Sequence, residues 1–397
     1  MKQQSFIAIS RRAADRIREG HVWVYSSDVQ SLPEGIAPGA VVAVADNRGI
    51  PLGSAIYSAA SQIALRMIST DPALDRAGYL ALVRERVRTS VSRREDQAAC
   101  RLIFSEADEL PGIVLDRYND LAVLQLLTQG TAQADVRDAV VEVLREIESI
   151  GTIVERPDPR VRELEQLAPA PAEAIFNRGE AKLATVFELN GLKFHYDANA
   201  GQKTGAFLDQ RLNYAAAASY AYGRALDVCT YQGGFALHLA RVCDEVTAVD
   251  QSRAALEVAD RNLELNASQV KKPVEWIEGD AFALLREYDA ANERFDTIVL
   301  DPPAFAKTRR AAEGAMRGYK ELNLRALRML KPGGVLVTCS CSHHVHLEDF
   351  VATVAAASAD AKRRVRLLET RAAAPDHPEV LTLPETRYLK CLIAKVD

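Results

Sequence analysis

Apolar residues in the second half of this chain fall in short dense runs, each ending at a polar or glycine-bearing break. Ala225 to Cys229 is one run, Glu245 to Val249 a second, Val274 to Ile277 a third and Phe295 to Leu300 a fourth. Short apolar runs bounded by turn residues read as strands buried on both faces, the pattern of a parallel sheet. Between them the period changes. Phe235 through Leu239 with Val242, and Ala255, Val258, Ala259, Asn262 and Leu263 within 252–266, repeat at helical spacing. Alternating strand and helix predict an α/β domain from residue 201 to 397. Asp250, Asp280 and Asp301 follow three of the strands, which puts them on the carboxyl rim where open parallel sheets bind ligands.

The first half reads differently. His21-Val-Trp-Val-Tyr25 alternates, Pro33 to Gly39 is turn-rich, and Ala40 to Ala45, Gly53 to Tyr57 and Gln62 to Met67 supply further short strands, so residues 1–70 form a small β-rich domain. Trp23 and Tyr25 share a strand face; there they either stack on bases or fill a core. Ser69-Thr-Asp-Pro-Ala73 is a linker into an α+β region spanning 71–200. Its first helix carries an apolar stripe of Leu80, Val83, Val87 and Val91, so Arg84, Arg86, Arg88, Arg93, Arg94 and Arg101 are expected to face outward, toward either water or phosphate. Gly112 to Asp116 and Leu121 to Thr128 form a hairpin, and a helix follows from about Ala134 to Glu148. Glu106, Asp108 and Asp116 are expected to be solvated turn acids without chemistry. After a charged, proline-rich passage (156–171), Ala184 to Tyr196 folds back around Asn190-Gly191, the strongest short hairpin signal.

Composition changes little in this picture. Of 397 residues 48% are hydrophobic and 26% charged, as expected of globular domains with sizeable cores. A formal charge of -5 argues against indiscriminate nucleic-acid binding, although clusters such as Arg11, Arg12, Arg16 and Arg18 set a local field. No apolar run approaches the roughly 20 residues that cross a bilayer, and Met1-Lys-Gln-Gln-Ser5 begins no signal peptide, so a cytoplasmic protein is expected. Six scattered cysteines make no disulfide framework.

Candidate chemistry gathers at the strand ends. Gly233 and Gly234 permit unusual dihedrals and leave no bulk between backbone and ligand. A glycine turn that opens a helix, with an acid about 20 residues on, is the layout of a nucleotide-type cofactor site in which Asp250 takes ribose hydroxyls. Pro302 and Pro303 cannot continue a ladder, so they hold Asp301 at the edge. The strand within Gly333 to His346 ends at thiols: Cys339 lies inside the apolar run and reads as packed, whereas Cys341 lies past it on the rim of Asp301. Cys339, Cys341, His343, His344 and His346 suit zinc by type, but they crowd together without a second cluster, and no metal site is assigned.

Gly201-Gln-Lys-Thr-Gly-Ala-Phe-Leu-Asp-Gln-Arg211, Tyr231-Gln-Gly-Gly-Phe235, Asp301-Pro-Pro-Ala-Phe305, Arg317-Gly-Tyr-Lys320, Ser340-Cys-Ser342, Asp376-His-Pro378 and Tyr388-Leu-Lys390 occur in that order. The set resembles the class I S-adenosylmethionine-dependent methyltransferases, and more closely the bacterial 23S ribosomal RNA cytosine-5 methyltransferases with an N-terminal PUA domain. Gly20 to Tyr25 is similar to a PUA module, and Glu106 to Tyr118, with its Leu-Pro-Gly turn, resembles the family's central domain. The resemblance implies an α/β, Rossmann-like class I methyltransferase domain at 201–397, preceded by a PUA-like RNA-binding domain at 1–70 and an α+β central domain at 71–200.

The same resemblance implies S-adenosylmethionine as cofactor. Lys203, Thr204, Gly205, Asp227, Thr230, Tyr231, Gly233, Gly234, Asp250, Asp280 and Asp301 would bind it, with Asp250 on the ribose diol and Asp280 on the adenine amino group. Read alone, Lys203 to Gly205 is a helix start capped by Thr204. Cys341 would be the nucleophile, because carbon 5 of cytosine becomes reactive only when a thiolate adds at carbon 6. No cysteine follows Asp301-Pro-Pro, so the group removing the carbon 5 proton stays open among Asp301, Cys339 and a water. The implied partner is 23S ribosomal RNA or its large-subunit precursor, with an unpaired or extruded target base and no membrane; a homodimer stays open. Two other readings compete. Asp-Pro-Pro followed by an aromatic resembles methyltransferases of base nitrogens, a match weakened by Ala304; the second is a non-enzymatic RNA-binding factor.

Overall fold

The computed structural model describes residues 6–94, 97–199, 206–270, 272–305 and 312–397. The chain divides into two compact units, one of residues 1–187, 196–205 and 376–386, the other of 188–195, 206–375 and 387–397.

The first unit holds two sheets. β1 (Phe6–Ile9), β2 (Trp23–Tyr25), β3 (Val29–Ser31), β4 (Val41–Ala45), β5 (Pro51–Tyr57) and β6 (Ile63–Ser69) make a six-stranded sheet in the order β2-β6-β5-β4-β1-β3, with helix α1 (Arg11–Arg18) after the first strand. The next elements are α2 (Arg76–Ser92), β7 (Ala99–Phe104), β8 (Ile113–Tyr118), β9 (Leu121–Leu126), α3 (Ala134–Leu144), β10 (Thr152–Glu155), α4 (Pro159–Glu165) and β11 (Ala174–Asn177). Their sheet runs β11-β10-β9-β8-β7. One core serves both: Ile56 of β5 and Ile68 of β6 are buried among Val83 and Val87 of α2, Leu124 of β9 and Val140 of α3. At Gly130 an added Cβ would lie 1.9 Å from Cγ2 of Ile56, so this backbone rests directly on the first sheet.

Two expectations for this unit are corrected. Arg94 and Arg101 do not face outward. Arg94 forks onto Asp108 at 2.9 and 3.0 Å, and Arg101 onto Asp116 at 2.7 and 2.8 Å, with both acids buried. Asp108 and Asp116 are therefore not solvated. The hairpin register sets Arg101 opposite Asp116, an alignment that local sequence does not reveal. On the outer face of α2, Arg84 pairs with Glu142 of α3 and Arg88 with Glu146 just past that helix. The proline-rich passage holds α4, which Asp158 caps with Pro159 at its start. Trp23 is half-buried and its indole N–H donates to Glu106 at 2.9 Å.

Next come β12 (Ala184–Leu189) and β13 (Leu192–Asp197), joined at Asn190 and Gly191 with φ of 52° and 80°, the left-handed pair this hairpin needs. The second unit then runs α5 (Arg211–Tyr220), β14 (Arg224–Val228), α6 (Gly234–Leu239), β15 (Glu245–Asp250), α7 (Arg253–Leu265), β16 (Val274–Glu278), α8 (Ala281–Ala290), β17 (Phe295–Leu300), α9 (Ala312–Met329), β18 (Leu330–Ser340), α10 (Leu347–Ala361), β19 (Val365–Arg371) and β20 (Lys390–Val396). Its sheet has the order β16-β15-β14-β17-β18-β20-β19. The first five strands in that order are parallel, and β20 and β19 close the edge antiparallel. Leu226, Val228, Phe295, Ile298, Leu300 and Leu336 pack with Tyr319 and Leu322 of α9 and Phe350 of α10. Apolar runs with little alternation follow from helices covering this sheet. The order reverses between β14 and β17, the switch point at which such sheets bind ligands.

Candidate functional site

Five parallel strands deliver the candidate residues to one rim. Asp227 is the penultimate residue of β14, Asp250 ends β15, Asp280 follows β16, Asp301 follows β17 and Cys341 follows β18. The turn after β14 bends sharply: Cys229, Tyr231 and Gly233 have φ of 65°, 52° and 83°, so three of five residues are left-handed. Hydrogen bonds hold it there. Thr230 N–H donates to the Val249 carbonyl at 2.9 Å, and Tyr231 N–H to Oδ2 of Asp250 at 2.9 Å. Gly234 has ordinary dihedrals and is constrained by space, because an added Cβ would lie 2.5 Å from the ring of buried Tyr214.

Asp227 is fully buried and accepts from Thr230 Oγ1 at 2.6 Å through Oδ2. Its Oδ1 has no partner among the described residues. Burial raises this carboxyl to about 7, with the charge of Asp250 adding to the effect. Asp250 accepts from Ser252 N–H as well, yet α7 is capped by the Ser252 hydroxyl, which leaves the acid for the turn. Asp280 is the helix cap instead: Oδ1 accepts from Ala283 N–H at 2.8 Å and Oδ2 from the Gln251 amide at 2.7 Å.

Asp301 is raised to about 8, first by burial and then by the charges of Asp209 and Asp227. The Gln210 side-chain amide donates to both its oxygens, at 3.0 and 3.1 Å. Next to it, the Cys341 thiol reaches the Pro302 carbonyl at 3.7 Å, so the Asp-Pro-Pro and Ser-Cys-Ser turns meet. Cys341 is half-buried, whereas Cys339 is fully buried opposite Cys391 of β20 and pushed well above the usual thiol range. Behind them Tyr319 Oη shares a 2.9 Å hydrogen bond with Ser342 Oγ, and Lys390 donates to the Ser342 carbonyl at 2.7 Å. An open cleft of about 460 Å³ lies alongside, walled by Phe282, Phe305 and the start of α9 around Gly314 and Arg317.

Lys203, Thr204 and Gly205 lie outside the described residues. Asp376 belongs to the first unit, where it accepts from Arg101 N–H at 2.9 Å. Sequence reasoning quoted Gln210, Tyr319 and Lys390 inside motifs without seeing a task for them. A lysine opening the apolar run to Val396 was the available signal for Lys390. His343, His344 and His346 are exposed, and among the described residues no three His, Cys, Asp or Glu side chains converge on a common point.

Residues 7–70 match the PUA-like domain family, and residues 171–388 match the family of S-adenosylmethionine-dependent methyltransferases. The chain is 37% identical over 382 residues to the ribosomal RNA large subunit methyltransferase I of Erwinia tasmaniensis, with 95% of each chain covered. It is 35% identical to the protein of that name from Yersinia pestis, again with 95% of each covered. Among solved structures, SMU.776 complexed with SAH superposes with a TM-score of 0.82 at 19% identity, over 98% of this chain and 99% of that one. An S-adenosylmethionine-dependent methyltransferase from Streptococcus mutans gives 0.81 at 18%, with the same coverage. At those identities the likeness is one of fold. The chain belongs to the family of PUA-bearing, S-adenosylmethionine-dependent methyltransferases whose curated relatives are named ribosomal RNA large subunit methyltransferase I.

Proposed function

We propose that this enzyme methylates carbon 5 of a cytosine in large-subunit ribosomal RNA through a covalent adduct on Cys341. The observation that carries the reading is the contact between the Cys341 thiol and the Pro302 carbonyl, which brings a half-buried thiol beside Asp301 at the carboxyl rim. S-adenosylmethionine supplies the methyl group from a cationic sulfonium. The residues fit such a group: Asp227 Oδ1 is buried and has no partner among the described residues, Gly233 opens the turn, and a sulfonium would favour the ionised forms of Asp227 and Asp301 beside Asp250. Asp250, whose Oδ2 fixes the glycine turn, is assigned to the ribose diol, and Asp280 to the adenine. Thr230, Tyr231 and Gly234 shape the pocket, and Lys203, Thr204 and Gly205 take the methionine carboxylate.

In the reaction Cys341 sulfur bonds to carbon 6, and the electrons of the 5,6 double bond make carbon 5 nucleophilic. Carbon 5 takes the methyl group, a base removes its proton, and the carbon–sulfur bond breaks to restore the ring and the thiolate. Asp301 is the favoured proton acceptor: it stands on the rim beside Cys341, and a carboxyl that burial raises to about 8 is, once ionised, a stronger base than an ordinary aspartate. Cys339 is disfavoured, since it is fully buried inside β18 and lies short of the rim. Relatives named for large-subunit ribosomal RNA support the substrate, and the PUA-like domain supports RNA docking, with the cytoplasm as the place of action. No described helix is long and apolar enough to cross a membrane.

Ribosomal RNA carrying 5-fluorocytosine at the target should trap the wild-type enzyme, since fluorine cannot leave as a proton does. Cys341→Ala should lose both the adduct and methylation, read by nucleoside mass spectrometry, while keeping cofactor affinity. A methylating Cys341→Ala enzyme, or an active wild type that forms no adduct, would overturn the mechanism in favour of base-nitrogen methylation.

A further inference from the structure

Lys390 opens β20 and lies across the ladder from Ser340, the last residue of β18. It is only 3% exposed. Lysines are almost never this buried unless paired, and a desolvated ammonium is stable only where its charge is answered. Two of its three N–H groups donate to carbonyls, of Ser342 and of Tyr388, both at 2.7 Å. Among the described residues no carboxylate lies within ion-pair distance of it. The Ser342 carbonyl is one residue beyond Cys341, so a buried cation with a donor to spare sits behind the segment carrying the thiol.

We propose that Lys390 is a positioning residue that holds Cys341 as the thiolate and fixes the Ser340–Ser342 turn beneath it. This rests on the reading of Cys341 as nucleophile. Cysteine nucleophiles need a nearby positive charge to ionise at neutral pH, and Lys390 supplies one against the turn that carries the thiol. His343 follows on the same segment, exposed and against the Tyr388 ring at 5.5 Å. Other described groups on the elements packed here are Asp301 at the end of β17, Tyr319 on α9, and Asp209, which accepts from the Tyr388 hydroxyl at 2.6 Å. Burial draws Lys390 down to about 8 while the charge of Cys341 pushes it back up, so the two groups lie within electrostatic reach of one another.

The test uses the full chain and iodoacetamide, with Cys341 alkylation followed peptide by peptide by mass spectrometry as pH is varied. In the wild type the midpoint should fall below the ordinary thiol value of about 8.5. In Lys390→Met it should rise by about one pH unit, a tenfold loss of thiolate near neutrality, with Lys390→Arg nearer the wild type. SAH binding reports that each variant is folded. A wild-type midpoint at or above the ordinary value overturns the proposal without any variant, and so does an unshifted midpoint in folded Lys390→Met. If the shift is found but 5-fluorocytosine RNA traps nothing, the lysine–thiolate coupling stands and the nucleophile reading fails.

Discussion

At Asp227 and Asp301 two carboxyls are held in a place where ionisation is disfavoured, at about 7 and about 8 against an ordinary 3.8. A carboxyl raised on folding binds more protons in the folded chain. It adds stability below the unfolded value and loses it as pH climbs through the folded one, here between about 4 and 8. The cofactor-free enzyme should therefore soften across that window, by up to about 1.4 kcal/mol per pH unit for each group that titrates. Asp301→Asn removes one titration while keeping an acceptor for Gln210, so its melting temperature should fall less between about pH 5 and about pH 8.5. Parallel declines in the two proteins would show that Asp301 ionises freely. Desolvation of this kind depends on what surrounds a strand end, so the sequence placed Asp301 on the rim, and the resemblance named Asp227 for the cofactor, without disclosing the protonation of either.

At the level of elements, the turn from β14 into α6 shows two glycines with different duties. Gly233 answers to its dihedral, Gly234 to the ring of Tyr214. Gly234→Ala should force that buried ring aside and cost about 1–3 kcal/mol in urea unfolding, and pairing it with Tyr214→Leu should recover part of the loss. Additive losses would mean that the ring does not set the limit. This turn was legible because a glycine pair, a buried run and a helical period coincide within a few residues. The Asn190-Gly191 hairpin was legible for the same reason. β19 was not: its residues alternate only weakly and Leu367 and Leu368 are exposed, as on an edge strand. Asp280 was read as a ligand and is also the cap of α8, because a strand-to-helix turn asks for an acid at the same position for both purposes. The pairings of the arginines in and after α2 escaped notice because the acids of Arg84 and Arg88 lie 58 residues on, and those of Arg94 and Arg101 are brought in by the turn and strand register that follow α2.

For the molecule as a whole, the shared core of the first unit matters more than the linker at 69–73. Ile56 and Ile68 belong to the first sheet in sequence and to the second in packing. Ile56→Ala should cost about 2–5 kcal/mol and speed hydrogen exchange in β8, β9 and α3 as well as in β5. Unchanged protection in β8 and β9 would mean that the two sheets are stable separately. Composition predicted neither outcome, since a polar, proline-bearing linker marks a change of element without saying whether a core continues beneath it.

The order of strands in the catalytic sheet also bears on how the protein is made. β19 is synthesised before β20 yet lies outside it, so β19 gains its neighbour only after β20 has left the ribosome and paired with β18. The strands that carry Asp227, Asp250 and Asp301 can associate earlier, as each emerges. Lys390 arrives with β20. A nascent chain can therefore assemble the acidic rim before Lys390 reaches the Ser340–Ser342 turn, and under the role proposed for that lysine the thiol of Cys341 becomes armed only as β20 joins the sheet.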